Sequence, residues 1–126
     1  MTMALCLAAA GGLAVVSLPD AAFDLLWTHS TEGVTWRETY HVGDDGLRLH
    51  EAAVRGSAAG MEPPPGSVLI GGEWRYAPEV PPLQRLLLAH SEFAGDYRLC
   101  LGGTCRPLAS LVARDGNGVE LFPCPR

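Results

Sequence analysis

The sequence predicts an all-β fold, a small sandwich or barrel of about 7–9 short antiparallel strands with two similar hairpins, preceded by an N-terminal apolar helix or signal segment. Three observations predict it. Turn signals recur about every ten residues from Phe23 onward, as in small all-β domains. Sustained helical periodicity is hard to find over the same stretch. Two Gly-Gly pairs, Gly71-Gly72 and Gly102-Gly103, sit between strand-forming runs, where tight hairpin loops need positive φ.

Residues 1–19 read apart from the rest. "MALCLAAAGGLAVVSL" is a charge-free apolar run of sixteen residues closed by Pro19 and Asp20. As a helix it would reach about 24 Å, short of the roughly 30 Å hydrocarbon core of a bilayer. A signal-peptide core is therefore the first reading, with an uncleaved membrane anchor and a buried N-terminal helix of a cytosolic protein as alternatives. No Lys or Arg precedes the run, Gly12 to Ala14 is only a weak cleavage site, and Cys6 stands too near the start for a lipoprotein cysteine.

Residues 20–126 read as one β domain. "FDLLWTH" is a strand that Gly33 turns into "WRETYHV", where Trp36, Glu38, Tyr40 and Val42 share a face. After the "GDDG" turn, "LRLHEAAV" alternates Leu47 and Leu49 with Arg48 and His50 and leads into the irregular "RGSAAGMEPPPG", whose prolines supply no backbone donors. "SVLIGGEWRYAP" is a Gly-Gly hairpin. Further strands are expected at "RLLLAHS", "DYRLCL", "TCRPLASLVA" and "GVELF", with two helical turns over "PLQRLLLAHSEF" as the alternative for the first.

In "YRLCLGGTCRPL" the two-residue loop sets Leu101 against Thr104 and Cys100 against Cys105. The second pair takes the position without mutual backbone hydrogen bonds, where side chains approach most closely. A cross-strand disulfide between Cys100 and Cys105 is expected in an oxidising compartment, with a metal pair or free thiols as the alternatives. Cys124 is then left over, to stay unpaired or to join Cys6 or another chain.

"LLWTHSTEGVTWRE" returns sixty-one positions later as "LLLAHSEFAGDYRL", so that His29, Ser30 and Arg37 fall on His90, Ser91 and Arg98. Both copies read as hairpins, related by a pseudo-twofold; ordinary hairpins whose ends favour His and Ser are the plain alternative. Two copies are too few for a solenoid.

Composition narrows the function. A chain of 126 residues, 48% hydrophobic and 18% charged, is a globular domain with one core. The net charge is −5, all nine basic residues are Arg, and no basic run exists to neutralise phosphates, which disfavours a nucleic-acid partner, and none is expected. Neighbouring His and Ser on a strand point to opposite faces, and no G-x-S-x-G elbow is present, so no catalytic residues are assigned. His29, His41, His50, His90 and Glu38 lack metal-ligand spacing, and no metal or cofactor is expected. Arg37 and Arg98 are placed to grip a carboxylate, or to lie solvated on their strands. Met61 beside the rigid "EPPPG" suits a docking loop, or a plain connection covering the core.

The order "WTHSTEGVTWRETY", "GSAAGME", "LLLAHS" and "YRLCLGGTCRPL", from about Leu26 to Leu108, resembles the bacterial family catalogued as domain of unknown function eighteen-fifty. The matching positions are His29, Ser30, Glu38, Tyr40, Gly60, Met61, His90 and Ser91. The resemblance implies a small exported or membrane-anchored protein, often encoded beside TAXI-type tripartite ATP-independent periplasmic (TRAP) transporters. The expectation is a non-enzymatic accessory domain outside the cytoplasm, contacting the transporter's membrane subunit or its substrate-binding protein, or alternatively a small module binding an organic anion. Its ligand or partner residues are expected among His29, Ser30, Arg37, Glu38, Tyr40, Met61, His90, Ser91 and Arg98.

Overall fold

The apolar N-terminal run forms strands rather than the expected helix. In the computed structural model, which describes residues 3–9, 15–19, 21–29, 34–55, 65–88, 97–112 and 118–125, β1 (Met3–Ala9) pairs antiparallel with β2 (Val15–Leu18). On its other edge β1 pairs with β11 (Val119–Pro125), in a register running from Met3 opposite Pro125 to Ala9 opposite Val119. Ala4, Leu5, Cys6, Leu7 and Ala8 are all buried. A strand covered on both faces needs apolar residues at every position, and such a run has the same composition as a short apolar helix. No helix among the described residues is long and apolar enough to cross a membrane.

The remaining strands are β3 (Ala22–His29), β4 (Val34–Gly43), β5 (Gly46–Arg55), β6 (Val68–Ile70), β7 (Glu73–Tyr76), β8 (Leu86–Leu88), β9 (Arg98–Leu101) and β10 (Thr104–Pro107). They complete two antiparallel sheets, one of four strands in the order β2-β1-β11-β8 and one of seven in the order β10-β9-β3-β4-β5-β7-β6. Neither sheet closes on itself, so the all-β fold is an open sandwich. Its core joins Leu5, Leu7 and Leu121 of the smaller sheet to Phe23, Leu25, Tyr40, Leu47 and Leu99 of the larger.

Both glycine hairpins are present. Gly71 and Gly72 take φ of 59° and 84°, and Gly102 and Gly103 take 56° and 87°, positive values at both loop positions as a type I′ turn requires. Cys100 faces Cys105 in register and the two are disulfide-bonded, with Cα atoms 3.9 Å apart. A second disulfide joins Cys6 to Cys124 across β1 and β11, at a Cα separation of 5.9 Å, and no described cysteine is free. Of the alternatives for Cys124, pairing with Cys6 is the one realised.

The echoed sequence does not form twin hairpins. Its first copy does, with β3 against β4. In the second copy β8 pairs with β11 in the smaller sheet, whereas β9 pairs with β3 and β10 in the larger. A strand has two edges, and both edges of β9 are occupied, so none remains for β8. The second halves of the two copies nevertheless bracket one strand: Arg37 of β4 and Arg98 of β9 both register with Leu26 of β3. The expected strand over "TCRPLASLVA" stops at Pro107 and passes into a 3-10 turn, Leu108–Ser110, with the Ser110 hydroxyl donating to the Pro107 carbonyl at 2.7 Å.

Gly46 anchors the linker after β7. Its φ is 132°, and a Cβ there would stand 2.5 Å from the Leu83 carbonyl oxygen. That close approach lets Leu47 and Leu83 exchange two backbone hydrogen bonds of 2.7 and 2.9 Å.

Candidate functional site

Strand alternation sends neighbouring residues of β4 to opposite faces of the larger sheet, and the predicted site residues separate accordingly. Trp36, Glu38 and Tyr40 share the inner face that Tyr40 and its neighbours present to the core, and Arg37 and Thr39 take the outer one. In the row that contains Glu38, Leu25 of β3 lies on one side and Ala52 of β5 on the other, with Tyr76 of β7 beyond Ala52 and Leu99 of β9 beyond Leu25. In the next row Trp36 opposes Trp27, and the two indoles stack with centroids 6.0 Å apart. Tyr97 tilts against Trp27 at 5.7 Å. On the other side of Glu38, Tyr40 stacks on Phe23 at 5.2 Å and is buried.

Glu38 is thus a half-buried carboxylate in an aromatic setting. The Tyr40 hydroxyl donates to its Oε1 at 3.2 Å, and among the described residues no Arg or His forms an ion pair with it. Burial pushes the Glu38 carboxyl above its ordinary range, and the Tyr40 hydrogen bond offsets this only in part. Burial, the Glu38 charge and the shared hydrogen bond all push Tyr40 up, which keeps it a donor. Tyr76 and Tyr97 are raised by burial and, next, by the charge of Glu38, so both rings lie within its field.

The outer face carries a different cluster. Arg37 and Arg75 register on either side of the small Ala53, which lets both guanidiniums reach one carboxylate. Arg37 Nη2 donates to Glu73 Oε1 at 2.6 Å and Arg75 Nε to the same oxygen at 2.7 Å, with Glu51 a further 3.6 Å partner of Arg37. Burial alone would raise Glu73, but the hydrogen bonds and charges of Arg37 and Arg75 together hold it below the ordinary carboxylate range. Arg37 is therefore committed to structure. Arg98 is exposed and has no carboxylate partner among the described residues. The open groove of about 330 Å³ beside Arg37 is also lined by Asp24 and by the Cys100–Cys105 bridge. The Thr39 hydroxyl donates to Asp24 at 2.7 Å, so that acid stays on the groove wall, and a paired Arg beside a carboxylate makes a poor anion trap.

Of the other predicted residues, His29 ends β3 with its backbone opposite Val34. Ser30, Gly60, Met61, His90 and Ser91 lie outside the described residues. His41 and His50 stack at 4.6 Å, His50 being the extra residue of a β-bulge, and no group of three or more metal-ligating side chains occurs among the described residues. Sequence reasoning missed the roles of Trp27, Glu73, Tyr76 and Tyr97. The alternation of "EWRY" after a Gly-Gly turn was a usable signal, since it sets Glu73 and Arg75 on one face and Trp74 and Tyr76 on the other.

No curated protein and no solved structure matches the chain. One family profile does, over residues 23–108, from the start of the β3 core through the Cys100–Cys105 hairpin, and it takes in Glu38 and every ring around it. That span is well over half of the sequence, and the chain belongs to the family described as domain of unknown function (DUF1850).

Proposed function

We propose that this protein is a non-enzymatic, extracytoplasmic accessory domain of a TRAP-type organic-acid uptake transporter, docking onto a transporter subunit by strand addition at β6. The edge itself carries the reading. β6 is the last strand of the larger sheet, and Val68, Leu69 and Ile70 are 55%, 55% and 46% exposed. Both faces of an edge strand are therefore apolar and open, with no Lys, Pro or inward charge on it to discourage pairing. The opposite edge, β10, is blunted by Arg106 and Pro107. An unprotected edge of this kind suits β-augmentation, in which main-chain hydrogen bonds supply affinity and alternate side chains supply specificity. β6 also follows directly on the proline-rich segment that ends at Pro65. Two disulfides and no free thiol among the described cysteines support an oxidising location.

The test is co-purification with the transporter's membrane subunit and substrate-binding protein under gentle extraction. The wild type is expected to retain one of them, and Leu69→Asp to lose it while folding normally. Retention of neither subunit, or equal retention by Leu69→Asp, rejects the docking role. The organic-anion reading is the weaker one, because Arg37 is already paired with Glu73 and Glu51.

A further inference from the structure

The second halves of the two echo copies bracket β3, so Arg37, Glu38 and Thr39 of β4 have counterparts in β9. Arg37 answers to Arg98 across Leu26. Trp36 and Tyr97 both lie against Trp27. The counterpart of Glu38 is Leu99, which is 1% exposed and part of the core. The same place in the sheet accepts a leucine on one side of β3 and carries a carboxylate on the other. A carboxylate half-removed from water normally has a cationic partner, and among the described residues Glu38 has only the Tyr40 hydroxyl.

The surroundings favour one kind of partner. Trp27, Trp36, Tyr76 and Tyr97 lie on the same face of the sheet as the carboxylate, and all four are half-buried rather than sealed in the core. Ala52, the neighbour of Glu38 on β5, is the smallest side chain with a Cβ and is itself covered at 2% exposure, so no bulky side chain of β5 separates Glu38 from Tyr76 along the row. Aromatic rings attract diffuse positive charge, and a single carboxylate beside them completes a site for an ammonium group. A hard metal ion would want several oxygen ligands, a need that one carboxylate and a neutral phenol do not meet.

We infer that the inner face of the larger sheet binds a small organic cation, an amine or quaternary ammonium group, with Glu38 as counter-ion and the Trp27–Trp36 pair, Tyr76 and Tyr97 as the surrounding rings. This site is separate from the β6 edge and does not depend on docking. The probe is tetramethylammonium chloride, titrated against the full chain with intrinsic tryptophan fluorescence as the readout and sodium chloride as the ionic-strength control. Sodium propionate serves as the anionic competitor. Saturable quenching by tetramethylammonium but not by sodium chloride or propionate is expected. Glu38→Gln should weaken it at least tenfold. Glu38→Leu, which installs the residue of the counterpart position, should fold and abolish it, and so covers the case in which Glu38→Gln fails to fold. Undiminished quenching in either folded variant, absence of a saturable response in the wild type, or preference for propionate would each overturn the assignment.

Discussion

The two disulfides close loops of very different length, and their removal should separate in magnitude. Cys6 and Cys124 are 118 positions apart, Cys100 and Cys105 only 5. In the chain-entropy account a cross-link removes about 2.1 + 1.5R ln n cal/mol/K from the unfolded ensemble. For the long loop that is about 16 cal/mol/K, or about 4.9 kcal/mol at room temperature; for the short one, about 7 cal/mol/K, or about 2 kcal/mol. A native domain is stable by about 5–15 kcal/mol, so the first loss removes a third or more of the total. Cys6 is also 4% exposed, and an alanine there leaves a small void that adds to the loss. The assay is urea unfolding of Cys6→Ala/Cys124→Ala and of Cys100→Ala/Cys105→Ala, followed by tryptophan fluorescence. With a slope of about 1.5 kcal/mol/M, the midpoint should fall by about 3 M in the first and about 1.4 M in the second. Equal midpoints, or a smaller loss for the Cys6/Cys124 pair, would refute both the loop-length reasoning and the incorporation of β1 into the folded sheet.

Three further predictions rest on single positions. Gly46→Ala forces a Cβ to 2.5 Å from the Leu83 carbonyl at a φ of 132°, and should cost about 1–3 kcal/mol in thermal or urea unfolding, with faster amide exchange at Leu47 and Leu83; an unchanged midpoint would count against it. Glu38 and Glu73 should shape the acid side of the stability curve with opposite signs. Glu73 is held below its ordinary value of 4.5, so its contribution is present above that value and lost as pH falls through the folded-state pKa. Glu73→Gln should therefore lose about 1–2 kcal/mol at neutral pH, a range reduced because both arginines are a quarter or more exposed, and should show a shallower acid limb. Glu38 is raised, so its contribution is present below 4.5 and lost as pH rises through the folded-state pKa. Glu38→Leu should accordingly gain on the wild type as pH is raised from about 4 to 7, and a gap independent of pH would contradict the burial of that carboxylate.

Features set by neighbouring residues were legible in the sequence, and those set by distant pairing were not. Gly102-Gly103 dictates its own turn, so the Leu101–Thr104 and Cys100–Cys105 registers could be counted outward from it. The alternation of "WRETYHV" likewise put Glu38 and Tyr40 on one face before any neighbour was known. β1 was misread because a strand covered on both faces and a short apolar helix share a composition, and only its ladder to β11 tells them apart. The echo was misread because it repeats residues rather than edges. Arg37 looked free for a ligand because Glu73 reaches it only through β5 and β7, strands that the intervening sequence gives no means of placing beside β4.

The pairing of Met3–Ala9 with Val119–Pro125 also governs when the protein can exist as a folded object. Until the ribosome has made the last strand, the smaller sheet lacks its centre, and Leu5 and Leu7 have no lasting place to go. The nascent chain is kept from premature completion by its own topology, and the Cys6–Cys124 bridge can close only after nearly the whole sequence has been made.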